Sequence, residues 1–226
     1  AICTGAELEV GWLPIVLTQS GNAKIQEGAP GFFEASSFVV KLEVPQRIDR
    51  AQGDVHAAGN PHVHLDPRNI AKIAQALTQR LAQLDGANAT AYHSLGEAFQ
   101  QKWGQAIPRW EAQAAPLKGM SVVTYHKDMG YLIAWLGMRE VGYLEPKPGL
   151  PPTTGHLTDL LGRLENTPAR AIVRSAYNNP KPAEWLSERA RIPAVVLPFT
   201  VGGTERARDL FGLFDDSLDR LLHVAQ

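Results

Sequence analysis

Long apolar runs are absent: no stretch approaches the ~20 residues needed to cross a bilayer, and no basic start followed by an apolar segment reads as a signal peptide. Cysteine is almost absent too. Cys3 stands alone among 226 residues, which excludes a disulfide framework, a Cys-rich zinc knuckle and a CxxC pair, so any metal site must be built from His and carboxylates. There is no surplus of either charge. Lys plus Arg number 22 against 23 Asp plus Glu, and a net charge of −1 offers no field to gather nucleic acid or anionic lipid. Repeats and low-complexity tracts are missing, as are a GxSxG elbow and a GxGxxG or GK[ST] phosphate loop, so serine-hydrolase and nucleotide chemistry have no support. What remains is 44% hydrophobic and 20% charged, the balance of one or two ordinary folded domains.

The clearest periodicity starts at Asp66. Ile70, Ile73, Leu77, Leu81 and Leu84 recur at helical spacing behind an Asp66 cap and Pro67 in the first helical position. A second segment carries Tyr92, Leu95, Phe99, Trp103, Ala106 and Trp110 on one face and predicts a long helix between two halves of the molecule. Gly104 and Pro108 predict a kink or break in it, because proline lacks the backbone donor and crowds the carbonyl four residues earlier. After Gly119 the pattern alternates. "SVVTYH", "VGYLE", "AIVRSAY" and "AVVLPF" read as strands, with helices near 128–136, 154–166, 181–191 and 204–224. That alternation predicts a mostly parallel sheet covered on both faces, with ligands at the carboxyl ends of its strands. The part before residue 60 is less regular. Residues 7–20 read as a helix with Leu8, Trp12, Ile15 and Val16 inward, "GNAKIQEGAPGFFEASS" as loop and "FVVKLEVPQ" as extended chain. "AICTGAELEVGW" reads like the end of a core strand with no cap or linker ahead of it, which predicts that the natural N-terminus lies upstream.

Seven histidines carry the chemical interest: His56, His62, His64, His93, His126, His156 and His223. Neutral imidazole is a common zinc ligand, so their positions matter more than their number. His62 and His64 sit in "GNPHVHLDPRN", just ahead of a helix start, and His126 ends the strand "SVVTYH". "HVHLDP" approaches the HxHxDH signature of metallo-β-lactamase-fold hydrolases, but Pro67 occupies the place of the final His, and no buried strand precedes it as an amidohydrolase HxH would need. Neighbours two apart in extended chain point to opposite sides, which makes His64 a neighbour of a ligand rather than a ligand. His56 reads as a solvated loop residue, His93 and His223 as helix-surface residues, and His156 as a cleft residue beside a helix capped by Thr153 or Thr154, where the helix's positive end disfavours a cation.

Taken in order, "CTGAELEVGWLP", "NPHVHLDPRNI" and "VVTYHKDMGYLIAWLGM" resemble the metal-binding receptors of bacterial zinc and manganese ABC transporters, whose matching segments run approximately "NG.g.E.WL", "DPHvWldP.n" and "vvtyHdaf.Y....yG". The resemblance covers nearly the whole chain. It implies two α/β lobes joined by a long helix with a metal held between them: residues 1–85 as the remainder of an N-terminal lobe, 86–117 as the connecting helix and 118–226 as the C-terminal lobe. It carries the ligand role onto His62 and His126. It further implies a monomeric, periplasmic or otherwise extracytoplasmic receptor that delivers its ion to a membrane permease and catalyses nothing. Two departures from the pattern matter. The family's first ligand His precedes the segment matching "CTGAELEVGW", and Val201 in "PFTVGG" stands where many members carry a ligand Asp. Imidazole-rich coordination with few carboxylates favours zinc over manganese. The rival reading is a metal-dependent hydrolase using His62, His64 and His126, and an adhesin-like member of the same family is a third.

Overall fold

The computed structural model describes residues 1–45, 53 and 56–225. They fall into two compact units, one of Ala1–Ile48 with Val55–Ile107 and the other of Asp49–Asp54 with Pro108–Gln226. The second unit realises the alternation expected beyond Gly119. Strands β3 (Ser121–Thr124), β4 (Arg139–Tyr143), β5 (Ala171–Ser175) and β6 (Ala194–Leu197) form a parallel sheet in the order β4-β3-β5-β6, with helices α4 (Gly130–Leu136), α5 (Thr154–Asn166) and α6 (Pro180–Ala190) as the crossovers. A strand buried on both faces can be apolar throughout, and Val122 and Val123 in central β3 are fully buried. Leu157, Leu160 and Leu164 of α5 and Ala183 and Leu186 of α6 pack with Val123, Leu144 and Ile172 into one core. Helix α7 (Leu210–Ala225) lays Phe214 against Trp110 and Trp135, with ring centroids 5.1 and 5.6 Å apart.

The strand order sets the site. From β3 the chain moves one way to β4, then crosses back over β3 to reach β5 and moves on to β6. The connections after β3 and β5 therefore leave in opposite directions, and such a switch point opens a crevice at the strands' carboxyl ends. One boundary differs from expectation. α7 begins at Leu210, because residues 204–209 form a turn in which the Gly202 amide donates to the Ala207 carbonyl (2.7 Å) and the Asp209 carboxylate accepts from the Gly212 amide (2.7 Å), a local cap that starts the helix late.

In the first unit α2 (Pro67–Leu84) follows its Asp66 cap as expected, the carboxylate accepting from the Arg68 amide at 2.8 Å. Helix α3 (Ala89–Gln113) comes close to α2 at Gly96, where an added Cβ would lie 2.5 Å from Thr78 Oγ1. Leu95, expected on the packed face, is 70% exposed, because the approach is made by the side-chain-free neighbour. Trp103 is fully buried and its indole donates to the Pro67 carbonyl at 2.7 Å. Of the kink or break expected at Gly104 and Pro108, no break occurs: α3 runs through both. Its residues from Pro108 on belong to the second unit and are anchored there to α7 by Trp110 Nε1 to Asp215 Oδ1 (2.6 Å) and Gln113 Nε2 to Asp219 Oδ1 (3.2 Å), contacts that offset one lost backbone bond.

The N-terminal expectations need correction. Helix α1 spans only Leu13–Gln19 and buries Leu17, while Leu8, Trp12, Ile15 and Val16 are exposed. Residues 5–12 are turns instead. Glu9 folds back to accept from the amides of Thr4 (2.8 Å) and Gly5 (3.0 Å), and Ala6 and Glu7 take positive φ of 50° and 65°, which a helix cannot accommodate. β1 (Ile2–Cys3) is a strand, yet Ile2 is exposed, and its parallel partner β2 (Phe33–Glu34) lies inside the segment read as loop. The stretch read as extended from Phe38 forms no strand among the described residues. Its end, Gln46, and the Gln52, Asp54 and Val55 ahead of His56, lie outside them.

Candidate metal ligands

His62 is held by a sequence-local frame. Gly59 takes φ of +97° and passes so close to the 41–44 backbone that a Cβ would lie 2.8 Å from the Leu42 carbonyl, a place only glycine fits. The Asn60 amide then donates to that carbonyl (2.8 Å), and the Asn60 side chain accepts from the His62 amide (2.9 Å). Val63–Leu65 form a single 3-10 turn, tied at its start by Asn69 Nδ2 donating to the Val63 carbonyl at 3.1 Å. His62 is consequently buried, 8% exposed, at a fixed backbone position. The tight turn overturns one expectation. His62 and His64 do not point to opposite sides of an extended chain: their rings stand edge to face, 6.5 Å between centroids, because the segment coils instead of extending.

His126 leaves the sheet two residues past β3, at the switch point. The Tyr125 amide still pairs with the Val173 carbonyl at 2.9 Å, so the backbone is held by β5 up to the residue before the imidazole. His126 Nδ1 lies 2.6 Å from Glu145 Oε2, with side-chain exposures of 23% and 13%. Two residues further along the same connection Asp128 is buried and accepts hydrogen bonds, from the β5 side, from Ser175 Oγ (3.2 Å) and Tyr177 OH (2.8 Å). Burial pushes the Asp128 carboxyl above the usual carboxylate range, against the opposing pull of the Tyr177 bond and of His126. Burial first, then the Asp128 charge, drives the Tyr177 phenol upward as well. Tyr125 shifts the same way, from its own burial and from Glu145.

The other histidines lie at a helix start, on helix surfaces and in a turn. Thr153 Oγ1 accepts from the His156 amide (3.3 Å) as the cap of α5, and His156 Nε2 lies 2.9 Å from the Tyr143 carbonyl. His93 and His223 are exposed on α3 and α7, and His56 is half-buried in a turn. Val201 is exposed in the loop after β6. Among the described residues no group of three or more His, Cys, Asp or Glu is gathered as a metal cluster. Sequence reasoning missed Glu145 and Asp128. Each sits within a few residues of a strand's carboxyl end, a usable signal, but only the strand order reveals which ends are neighbours.

The model of the family described as zinc-uptake complex component A, periplasmic, matches residues 1–224. The chain belongs to this zinc-uptake component A family. Its members are periplasmic metal-binding proteins of transport systems, not enzymes, which removes the hydrolase reading. Solved structures share the fold. A cadmium-bound periplasmic metal-binding protein from Candidatus Liberibacter asiaticus matches with a TM-score of 0.76 at 16% identity, covering 100% of this chain and 80% of that one. A ZnuA crystal structure matches at 0.73 and 15% identity, over 97% and 78%. A laminin-binding adhesin from Streptococcus agalactiae matches at 0.66 and 18%, over 84% and 70%. No protein of curated function matches in sequence. Among the described residues of this family member, no helix is long and apolar enough to cross a membrane.

Proposed function

We propose that this chain is an extracytoplasmic zinc receptor that hands its ion to the permease of an ABC importer, with His62 and His126 as ligands to the transported metal. Family membership over residues 1–224 is the observation that carries the reading. The two histidines of the receptor-like motifs support it physically. One is buried on a backbone fixed by Asn60 and Asn69, the other stands at the sheet's switch point. Residues 1–85 and 118–226 would then be the lobes and 86–117 the connector. Zinc is favoured because the donors are imidazoles and Val201 supplies no carboxylate, while oxygen-rich sites suit manganese. Some solved neighbours are bound to cadmium or to manganese, so the choice of metal has to be measured.

The test is competitive titration of zinc and manganese against a chromophoric chelator. His62→Ala and His126→Ala should each weaken zinc binding by more than the ~100-fold that loss of an outer-sphere partner reaches, while His223→Ala leaves it unchanged. Equal affinities in all three variants would overturn the assignment, and tighter manganese than zinc binding would overturn the choice of metal.

A further inference from the structure

The geometry points to Glu145 as the residue that presents His126 to its metal, fixing the ring's orientation and tautomer through Nδ1. This rests on the reading of His126 as a ligand and adds to it a residue outside the coordination set. The placement follows from the sheet. β3 and β4 are parallel neighbours with Thr124 opposite Tyr143, so two residues later His126 and Glu145 emerge side by side at the carboxyl edge. Between them the Glu145 amide donates to the Tyr125 carbonyl at 3.1 Å, extending the ladder one step past the strands.

The carboxylate itself is held from two sides. Oε2 accepts from the Gly149 amide at 2.9 Å and lies 2.6 Å from His126 Nδ1. With its side chain only 13% exposed, Glu145 is set before any ion arrives. An ionised carboxylate can only accept, so the contact requires the proton on Nδ1, and the neutral ring then offers its lone pair at Nε2. At 2.6 Å the contact is shorter than an ordinary N–H···O bond, as bonds to an ionised carboxylate tend to be. Such a partner orients an imidazole, selects the tautomer and makes the ligating nitrogen more basic. His156, the other histidine near this edge, turns its Nε2 to the Tyr143 carbonyl and leaves Glu145 to His126.

The experiment pairs a spectroscopic readout with affinity. Long-range ¹H–¹⁵N correlation on metal-free protein, with His126 assigned by its loss in His126→Ala, should show the Nδ1–H form in the wild type. Glu145→Ala should shift it toward Nε2–H and weaken zinc binding about 10–100-fold, the effect typical of losing an outer partner. Glu145→Gln, which keeps the volume and can still accept from Nδ1, should fall between, and it carries the test if Glu145→Ala fails to fold. An unchanged tautomer in both variants overturns the inference, whatever the affinity does. A wild-type ring in the Nε2–H form overturns it as well. Failure of the underlying reading looks different: His126→Ala would then bind zinc as tightly as the wild type.

Discussion

Leu160 and Gly142 offer a strict check on the packing of the second unit. β4 slips register against β3 between Val122 and Val123, leaving Val141 as an extra residue, and Gly142 follows this bulge. Leu160 of α5 is fully buried directly above it, and a Cβ built on Gly142 would lie 2.6 Å from Leu160 Cδ1. Carbon atoms are comfortable near ~3.5–4.0 Å, so Gly142→Ala must displace a fully buried leucine of the core cluster that also holds Val123, Leu157, Leu164, Ile172 and Leu186, at a cost of about 1–3 kcal/mol. Leu160→Ala opens a cavity instead and should cost about 3–4 kcal/mol. In the double variant the clashing methyl is gone and the new one occupies part of the vacated space. The two penalties should therefore fail to add by at least ~1 kcal/mol, leaving the double variant close to Leu160→Ala alone. Urea unfolding followed by far-UV circular dichroism, with chelator present so that metal linkage is removed, reads all four corners of the cycle. Additivity within ~0.5 kcal/mol would show that Leu160 does not press on Gly142 and that the core is packed differently.

Other outcomes follow from single features. Asp66→Ala removes the α2 cap and should lower stability by about 1 kcal/mol in the same assay. Burial, assisted by the Glu9 and Glu34 charges, raises the Cys3 thiol from 9.0 to about 11. At pH 9 it should be about 1% thiolate against half for an ordinary thiol, and alkylation by iodoacetamide should be slowed roughly fiftyfold until urea exposes it. The sign for stability follows: because the folded value is raised, the contribution is present below pH 9 and is lost as the pH rises toward 11. If the chain is the zinc receptor proposed above, zinc at a hundred times its dissociation constant should add about 2.7 kcal/mol to stability, reversed by chelator. No shift in the urea midpoint would count against it.

How far the molecule could be read from its letters differs between the units, for a physical reason. In the second unit β3 and β5 carry short β-branched runs buried on both faces, so composition alone marks them, and the crossover helices α5 and α6 are long enough to show their period. In the first unit the decisive contacts are polar and local. The Glu9 carboxylate on two amides, the positive φ of Ala6 and Glu7 and the two-residue pairing of β1 with β2 leave no periodic signature, so an apparent helical stripe at Leu8, Trp12, Ile15 and Val16 misled. At Pro108, where a kink or break was expected, α3 is not broken, because helix propensity is a weak prior against anchoring by Asp215 and Asp219.

The residues at the crevice divide along the same line. His126 was legible because a strand's carboxyl end is where an open α/β sheet presents chemistry, and that much needs only the strand's boundary. Glu145 and Asp128 were not. Their relation to His126 depends on β3 lying between β4 and β5, and sequence order alone permits several arrangements of four parallel strands. Once β3 is central, the switch point lies between β3 and β5. The β4 side then brings a carboxylate to Nδ1, and the β5 side brings Ser175 and Tyr177 to Asp128. The imidazole at the crevice is thus flanked by one carboxylate that reaches it directly and one engaged by two hydroxyl donors. The two are not interchangeable: removing Glu145 should change the state of the His126 ring, whereas removing Tyr177 releases a contact between the connections after β3 and β5 and leaves the Nδ1 partner in place.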